Sequence, residues 1–232
     1  MLEKLKKRVW EQNLRLRESG LVTLTWGNVS AIDRRSGLVV IKPSGVPYCD
    51  MKADDMVVTD LDGRVVEGQH RPSSDLFTHL ELYKAFKEIG GVTHTHSTYA
   101  TAYAQSGKDI TAYGTTHADT FYGDIPCTRA LTAKEIETDY ELNTGKVIVE
   151  TFKNKDYQAI PAVMIKNHGP FTWGTSPEEA VENAIILEEV AKIAALSERI
   201  NPNIEKVDEH LLRKHYERKH GKDAYYGQKK DK

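Results

Sequence analysis

Residues 90–100 read GGVTHTHSTYA, and the stretch changes character halfway along. Its first half alternates β-branched and polar residues after a glycine pair, the pattern of a short strand, whereas STYATAYAQ from Ser97 onward carries Ala and Tyr at helical spacing. A strand here leads into a helix, and strands and helices mixed through the whole chain imply a layered α/β domain. On a strand, side chains two apart share a face, so His94 and His96 point the same way with Thr95 opposed. Two neutral imidazoles on one face can meet one transition-metal ion, because each offers a nitrogen lone pair. An H-x-H pair in a chain with nine histidines is also the makeup of an ordinary polar strand end.

Outward from this stretch the periodicities alternate. Leu2, Leu5, Val9 and Leu16 predict an amphipathic helix that stops at Gly20. LVVIK (38–42), MVVTD (56–60) and RVVEG (64–68) predict strands, the last two joined as a hairpin across LDG. SSDLFTHLELYKAF predicts a helix with Ser73 or Ser74 as its cap. VIVETF (147–152) and AVMIK (162–166) predict further strands. SPEEAVENAIILEEVAKIAALSERI predicts a long helix with Ser176 as cap, Pro177 in the first turn and Glu179 closing a capping box. The expectation is one α/β domain over residues 1–232, with KKDK (229–232) a disordered, solvated tail.

A chain of 232 residues can bury a core without disulfides or a structural metal, so a metal here would serve chemistry. The formal net charge of −2 gives no basic excess for nucleic acid or an anionic membrane. Cys49 and Cys127 form no C-x-x-C, which argues against a disulfide scaffold or zinc ribbon and fits a reducing cytosol. The charged N-terminus lacks a signal-peptide core, and no run is apolar enough to span a bilayer, so a soluble cytoplasmic protein is expected.

His168 follows the apolar run AVMI beside a Gly-Pro turn, where it can aim into a cleft as a third imidazole or simply stabilise the turn. Asp75 stands in a first helical turn, a place that suits a carboxylate for dipole reasons alone. WGNVS (Gly27, Asn28), KPSG (Ser44, Gly45) and PSSD (Ser73, Ser74) pair small residues with polar donors, the composition that lets backbone N–H groups approach a phosphate and also that of common turns. GTTHADTFYGD, with His117, Asp119 and Tyr122, and KHYERKHGKDAYYGQ, with His215, Tyr225 and Tyr226, hold groups able to exchange protons with a hydroxyl.

Taken together, LVTLTWGNVSAID, VVIKPSGV, PSSD, THTHS, GTTHAD, FYGDIPCTR, NHGPF, RKHG and AYYGQ resemble the class II aldolase/adducin family over nearly the whole length, and within it the epimerases that act on L-ribulose 5-phosphate. The resemblance implies a three-layer α/β/α domain, a cyclic homotetramer with an active site shared between neighbouring chains, a small sugar phosphate as partner, and a divalent metal, usually Zn2+, with Mn2+ or Co2+ as substitutes. It makes His94, His96 and His168 metal ligands with Asp75 beside them, and assigns Gly27, Asn28, Ser44, Gly45, Ser73 and Ser74 to the substrate and chiefly its phosphate. Asp119 and Tyr226 become the proton-exchanging pair, Asp119 from the metal's own chain and Tyr226 from the next, with His215 near the site. His117 and Tyr122 keep structural readings. The implied reaction inverts carbon 4 by breaking and remaking the bond between carbons 3 and 4, because the C–H there is not acidic enough to be deprotonated directly. Aldolases of the family tend to carry Glu in place of Asp75. Two departures stand out: SSDLFTH where SSDTPTH is frequent, and Lys166-Asn167 where His-Ser is common.

Overall fold

A computed structural model describes residues 2–227. The disordered tail expected at 229–232 lies outside the described residues. Seven strands form one antiparallel sheet in the order β4-β3-β2-β1-β5-β7-β6. They are β1 (Asn28–Asp33), β2 (Leu38–Ile41), β3 (Val57–Thr59), β4 (Val65–Glu67), β5 (Gly91–His94), β6 (Ala162–Met164) and β7 (Pro170–Gly174). The helices are α1 (Glu3–Glu18), α2 (Leu76–Ala85), α3 (Thr98–Ser106), α4 (Thr115–Ala118), α5 (Ala133–Glu137), α6 (Tyr140–Thr151), α7 (Pro177–Ile200) and α8 (Glu209–His220).

The period-2 alternation of the strands sorts their side chains into two apolar faces. Val29, Ala31, Val40 and Val58 pack against Val9 and Leu16 of α1 and Val181 and Ala184 of α7. Val39, Ile41, Val57, Val92 and Trp173 join Leu80 and Tyr83 of α2 and Ile148 of α6 in the opposite cluster. The sheet is therefore sandwiched between helical layers, as the family resemblance implies.

The opening stretch spans the crowded centre of this sandwich. β5 lies between β1 and β7, with Asn28 opposite His94 and His94 opposite Phe171. The glycine pair is steric in origin: a Cβ on Gly90 would stand 2.2 Å from the Thr175 carbonyl oxygen, and one on Gly91 would stand 2.5 Å from Pro177. The strand passes directly beneath the start of α7.

Three local expectations are overturned. VIVETF is the end of helix α6, not a strand. Its β-branched residues favour a strand locally, but Thr144, Gly145, Val147 and Ile148 form a buried stripe at helical spacing, and burial outweighs a propensity difference of under about 1 kcal/mol per residue. Neither Ser73 nor Ser74 caps α2. Asp75 holds the N-cap position and its side chain makes no cap bond. Ser176 does cap α7, accepting from the Glu179 N–H at 3.2 Å, but the Glu179 carboxylate reaches back to the Thr175 N–H instead of closing a capping box.

Candidate metal centre and cleft

Sheet register brings the three histidines together. His94 ends β5, its ring stacked on Phe171 with centroids 4.2 Å apart. Its Nδ1–H donates to the Pro170 carbonyl at 2.9 Å, so Nε2 is the ring nitrogen that faces the other histidines. His96 follows at the cleft mouth, its Nε2 3.0 Å from that of His94. His168 arrives from the turn between β6 and β7, its ring centroid 4.7 Å from His94 and 5.1 Å from His96. One nitrogen from each ring can be chosen so that all three lie within 4.8 Å of one another.

Burial pushes the His168 imidazolium down to about 3, with the neighbouring His94 adding to the fall. Burial, then His94, also lowers His96. These two rings are held neutral at pH 7, the form that binds metal. Beside them, burial alone would raise Asp75, but His94, His79, an amide bond from Asn28 and His168 outweigh it and keep the carboxyl below its ordinary range. Converging neutral imidazoles with an ionised carboxylate alongside fit a divalent transition-metal ion.

These groups line a cleft of about 380 Å3, and Gly27, Asn28, Ser44, Gly45, Ser73, Ser74 and Asp75 line it too. Gly27 takes φ +75°, and a Cβ there would stand 3.0 Å from the His94 carbonyl, so the loop entering β1 lies on the backbone that carries the histidines. Asn28 Nδ2 donates to Ser73 Oγ at 3.0 Å and to Asp75 Oδ2 at 2.7 Å, while its Oδ1 is buried without a partner. The free atom is an acceptor, which suits a sugar hydroxyl better than a phosphate. Asp75 thus bonds Asn28 rather than its own helix's N–H groups.

Sequence reasoning missed Lys42, Tyr140, Trp26 and Glu141, which also line the cleft. Lys42 is only 2 % exposed; burial pushes it down to about 8 against the pull of Asp75, and its Nζ donates to the Thr25 carbonyl at 3.1 Å. It remains a cation at pH 7 beside Ser44 and Gly45. The signal was present in IKPSG, where a lysine ends an apolar strand and opens an anion-type loop.

Asp119 and Tyr226 do not line this cleft in their own chain. Asp119, just after α4, accepts from His215 Nδ1 at 3.0 Å and from Arg218 at 3.0 and 2.7 Å, with Lys219 at 3.6 Å. Burial would raise its carboxyl, but the Arg218 and His215 bonds and Lys219 hold it below the usual range. The exposed Tyr226 ring lies 5.1 Å from Arg218 and 4.4 Å from Lys219. The two candidates share one patch through Arg218, outside the lining of their own chain's cleft. His215 belongs to this patch and not to the cleft. His117 Nε2 donates to the Gly123 carbonyl at 2.7 Å, and the Tyr122 ring packs against Tyr216. The departures leave the histidines alone: Leu76 is buried in the core, Phe77 packs by Gly63, and Lys166 Nζ turns to the Gln105 carbonyl. Among the described residues, no helix is long and apolar enough to cross a membrane.

Residues 7–195 match the family model described as Class II Aldolase and Adducin N-terminal domain. Among solved structures, an L-fuculose 1-phosphate aldolase is 27% identical, with 93% of this chain and 95% of that chain covered and a TM-score of 0.78. YgbL from Klebsiella pneumoniae, for which aldolase, epimerase and decarboxylase are all named, is 23% identical over 92% of this chain and 99% of that one, with a TM-score of 0.74. The L-fuculose-1-phosphate aldolase from Thermus thermophilus is 23% identical over 86% and 97% of the two chains, with a TM-score of 0.67. The last two likenesses concern the fold.

Proposed function

The chain belongs to the class II aldolase and adducin family, and from that premise we propose that it is an enzyme that breaks and remakes a carbon–carbon bond of a phosphorylated ketose at a divalent metal held by His94, His96 and His168. The observation that carries this reading is the meeting, in one cleft, of neutral imidazoles with a buried lysine and three small-residue loops. A metal bound there supplies Lewis-acid chemistry, withdrawing electrons from the ketose oxygens so that the adjacent bond can break.

The chain's own groups divide the remaining tasks. Lys42, the Ser44 hydroxyl and the backbone donors around Ser44 and Gly45 hold the phosphate, and so retain the aldehyde fragment after cleavage. Asn28 fixes Asp75 by its amide and offers Oδ1 to a substrate hydroxyl. Asp119 and Tyr226 move protons. Because both stand on one patch away from their own cleft, a neighbouring copy in a head-to-tail ring delivers the two together.

The finer reading is a 4-epimerase that interconverts L-ribulose 5-phosphate and D-xylulose 5-phosphate: the bound aldehyde rotates, presents its other face and is re-added. Aspartate at position 75 and the matched motifs support it. A lyase that releases its fragments is the second reading, favoured by the 27% likeness to an L-fuculose 1-phosphate aldolase. Incubation of the zinc-loaded protein separately with L-ribulose 5-phosphate and L-fuculose 1-phosphate decides between them. D-Xylulose 5-phosphate without free aldehyde is the expected result; aldehyde released from either substrate without epimerisation makes it a lyase, and no turnover of any ketose phosphate rejects both.

A further inference from the structure

The three histidines are not held alike. His94 is fixed by its strand, by the Phe171 stack and by the Pro170 carbonyl, whereas His168 sits on a tight turn. In that turn Ile165 N–H donates to the Gly169 carbonyl at 2.9 Å, His168 N–H donates to the Ile165 carbonyl at 2.9 Å, and Asn167 takes φ +66°. These bonds set the backbone but do not themselves fix which way the imidazole nitrogens point. Among the described residues, the hydrogen-bond partner of that ring is the Tyr140 hydroxyl, 3.3 Å from Nδ1. We infer that Tyr140 is a positioning residue for His168: its hydroxyl oxygen accepts the Nδ1 proton and so turns the Nε2 lone pair towards the metal.

Tyr140 is itself firmly placed. It opens α6, and Thr78 Oγ1 in the first turn of α2 donates to the adjacent Glu141 carbonyl at 2.6 Å. Gly145 lets the helices close up, since a Cβ there would stand 2.6 Å from Glu81 Cβ. The residue preceding α2 is Asp75. The α2–α6 pair therefore carries the carboxylate and the support of His168 as one unit. Such outer hydrogen bonds fix the tautomer and direction of a ligand ring, and their loss typically costs roughly 10- to 100-fold in metal affinity. Lys166, in the departure that precedes His168, turns its amine to the Gln105 carbonyl and does not take over this part.

The inference rests on the metal reading of the three histidines, and one experiment separates the two. Wild-type protein and Tyr140→Phe are stripped of metal, titrated with zinc against a chromophoric chelator, loaded with Co2+ for visible spectra, and melted metal-free. The expected result is zinc held about 10- to 100-fold more weakly by Tyr140→Phe, with an altered cobalt spectrum and an unchanged metal-free Tm. Zinc bound equally tightly by both, with identical cobalt spectra, overturns the role of Tyr140 alone. Weaker binding accompanied by a lower metal-free Tm also overturns it, because the loss would then be one of packing. A wild-type protein that holds no zinc overturns the metal reading and this inference with it.

Discussion

The cleft and the Asp119–Tyr226 patch are built by opposite means. The cleft is made of element ends: His94 closes β5, Asn28 opens β1, Lys42 follows β2, Asp75 precedes α2 and Tyr140 begins α6. Each backbone is anchored in a buried core, so the side chains are aimed before any ligand arrives. The patch sits on α4, one turn long, and on α8, none of whose residues is buried. There the fixing is done by charge: one carboxylate gathers His215, Arg218 and Lys219, and Arg218 and Lys219 also lie against Tyr226. Binding and bond polarisation belong to the rigid region. Under the proposed function, proton transfer falls to this surface, and another chain completes its alignment.

The comparison breaks most visibly at the metal. His96→Asn should remove metal and lower turnover by more than about 1,000-fold, since several kcal/mol of charge stabilisation disappear with the Lewis acid. Metal content by elemental analysis and a retained Tm check this; unfolding on metal loss would make the site structural. On the patch, Tyr226→Phe or Asp119→Asn should cost roughly 100- to 10,000-fold in kcat with metal content unchanged. A fall in bound metal in either variant would place the patch's residues in the cleft after all.

Within the cleft, Ser44→Ala and Asn28→Ala sharpen the picture by failing differently. Ser44→Ala should raise KM for a phosphorylated ketose about tenfold and let aldehyde escape, for one charge-assisted bond to the phosphate is worth around 1.5 kcal/mol. Asn28→Ala removes the donor that holds Asp75, so it should weaken metal binding by about tenfold, which a chelator competition reads. Identical behaviour of the two would make Asn28 a phosphate ligand. The smallest expected effect is pH dependence. Lys42 loses its proton as pH rises through about 8, so affinity for the phosphorylated substrate should fall above that pH while the phosphate itself stays fully charged. In Lys42→Met that fall should vanish from the KM profile.

Much of the cleft was legible because it follows from local rules. The H-x-H spacing marked His94 and His96, although β5 ends at His94 and only the first stands on the strand, and small residues marked the loops. Lys42 and Tyr140 were not legible, since nothing local distinguishes a lysine that ends an apolar strand or a tyrosine that starts a helix. Their importance comes from what folds over them. The helix made of VIVETF was hidden for a related reason: packing against α2 decided its form. The Asp75 cap shows the converse, a local rule for helix starts broken where the side chain faces the cleft. The joint placement of Asp119 and Tyr226 depends on contacts about 100 residues apart in sequence, which no motif spacing encodes.

The division of labour between a cleft and its neighbour's patch is tested most directly by mixing inactive chains. His96→Asn has a damaged cleft and an intact patch, and Asp119→Asn the reverse. Unfolded and reassembled together at equal amounts into a cyclic ring, they should restore activity towards about a quarter of wild type, because one site in four pairs an intact cleft with an intact patch. Asp119→Asn mixed with Tyr226→Phe should restore none, since every chain then carries a damaged patch. Recovery in the second mixture but not the first, with mixed assemblies confirmed by mass, would contradict the account by placing Asp119 and Tyr226 in different halves of the site.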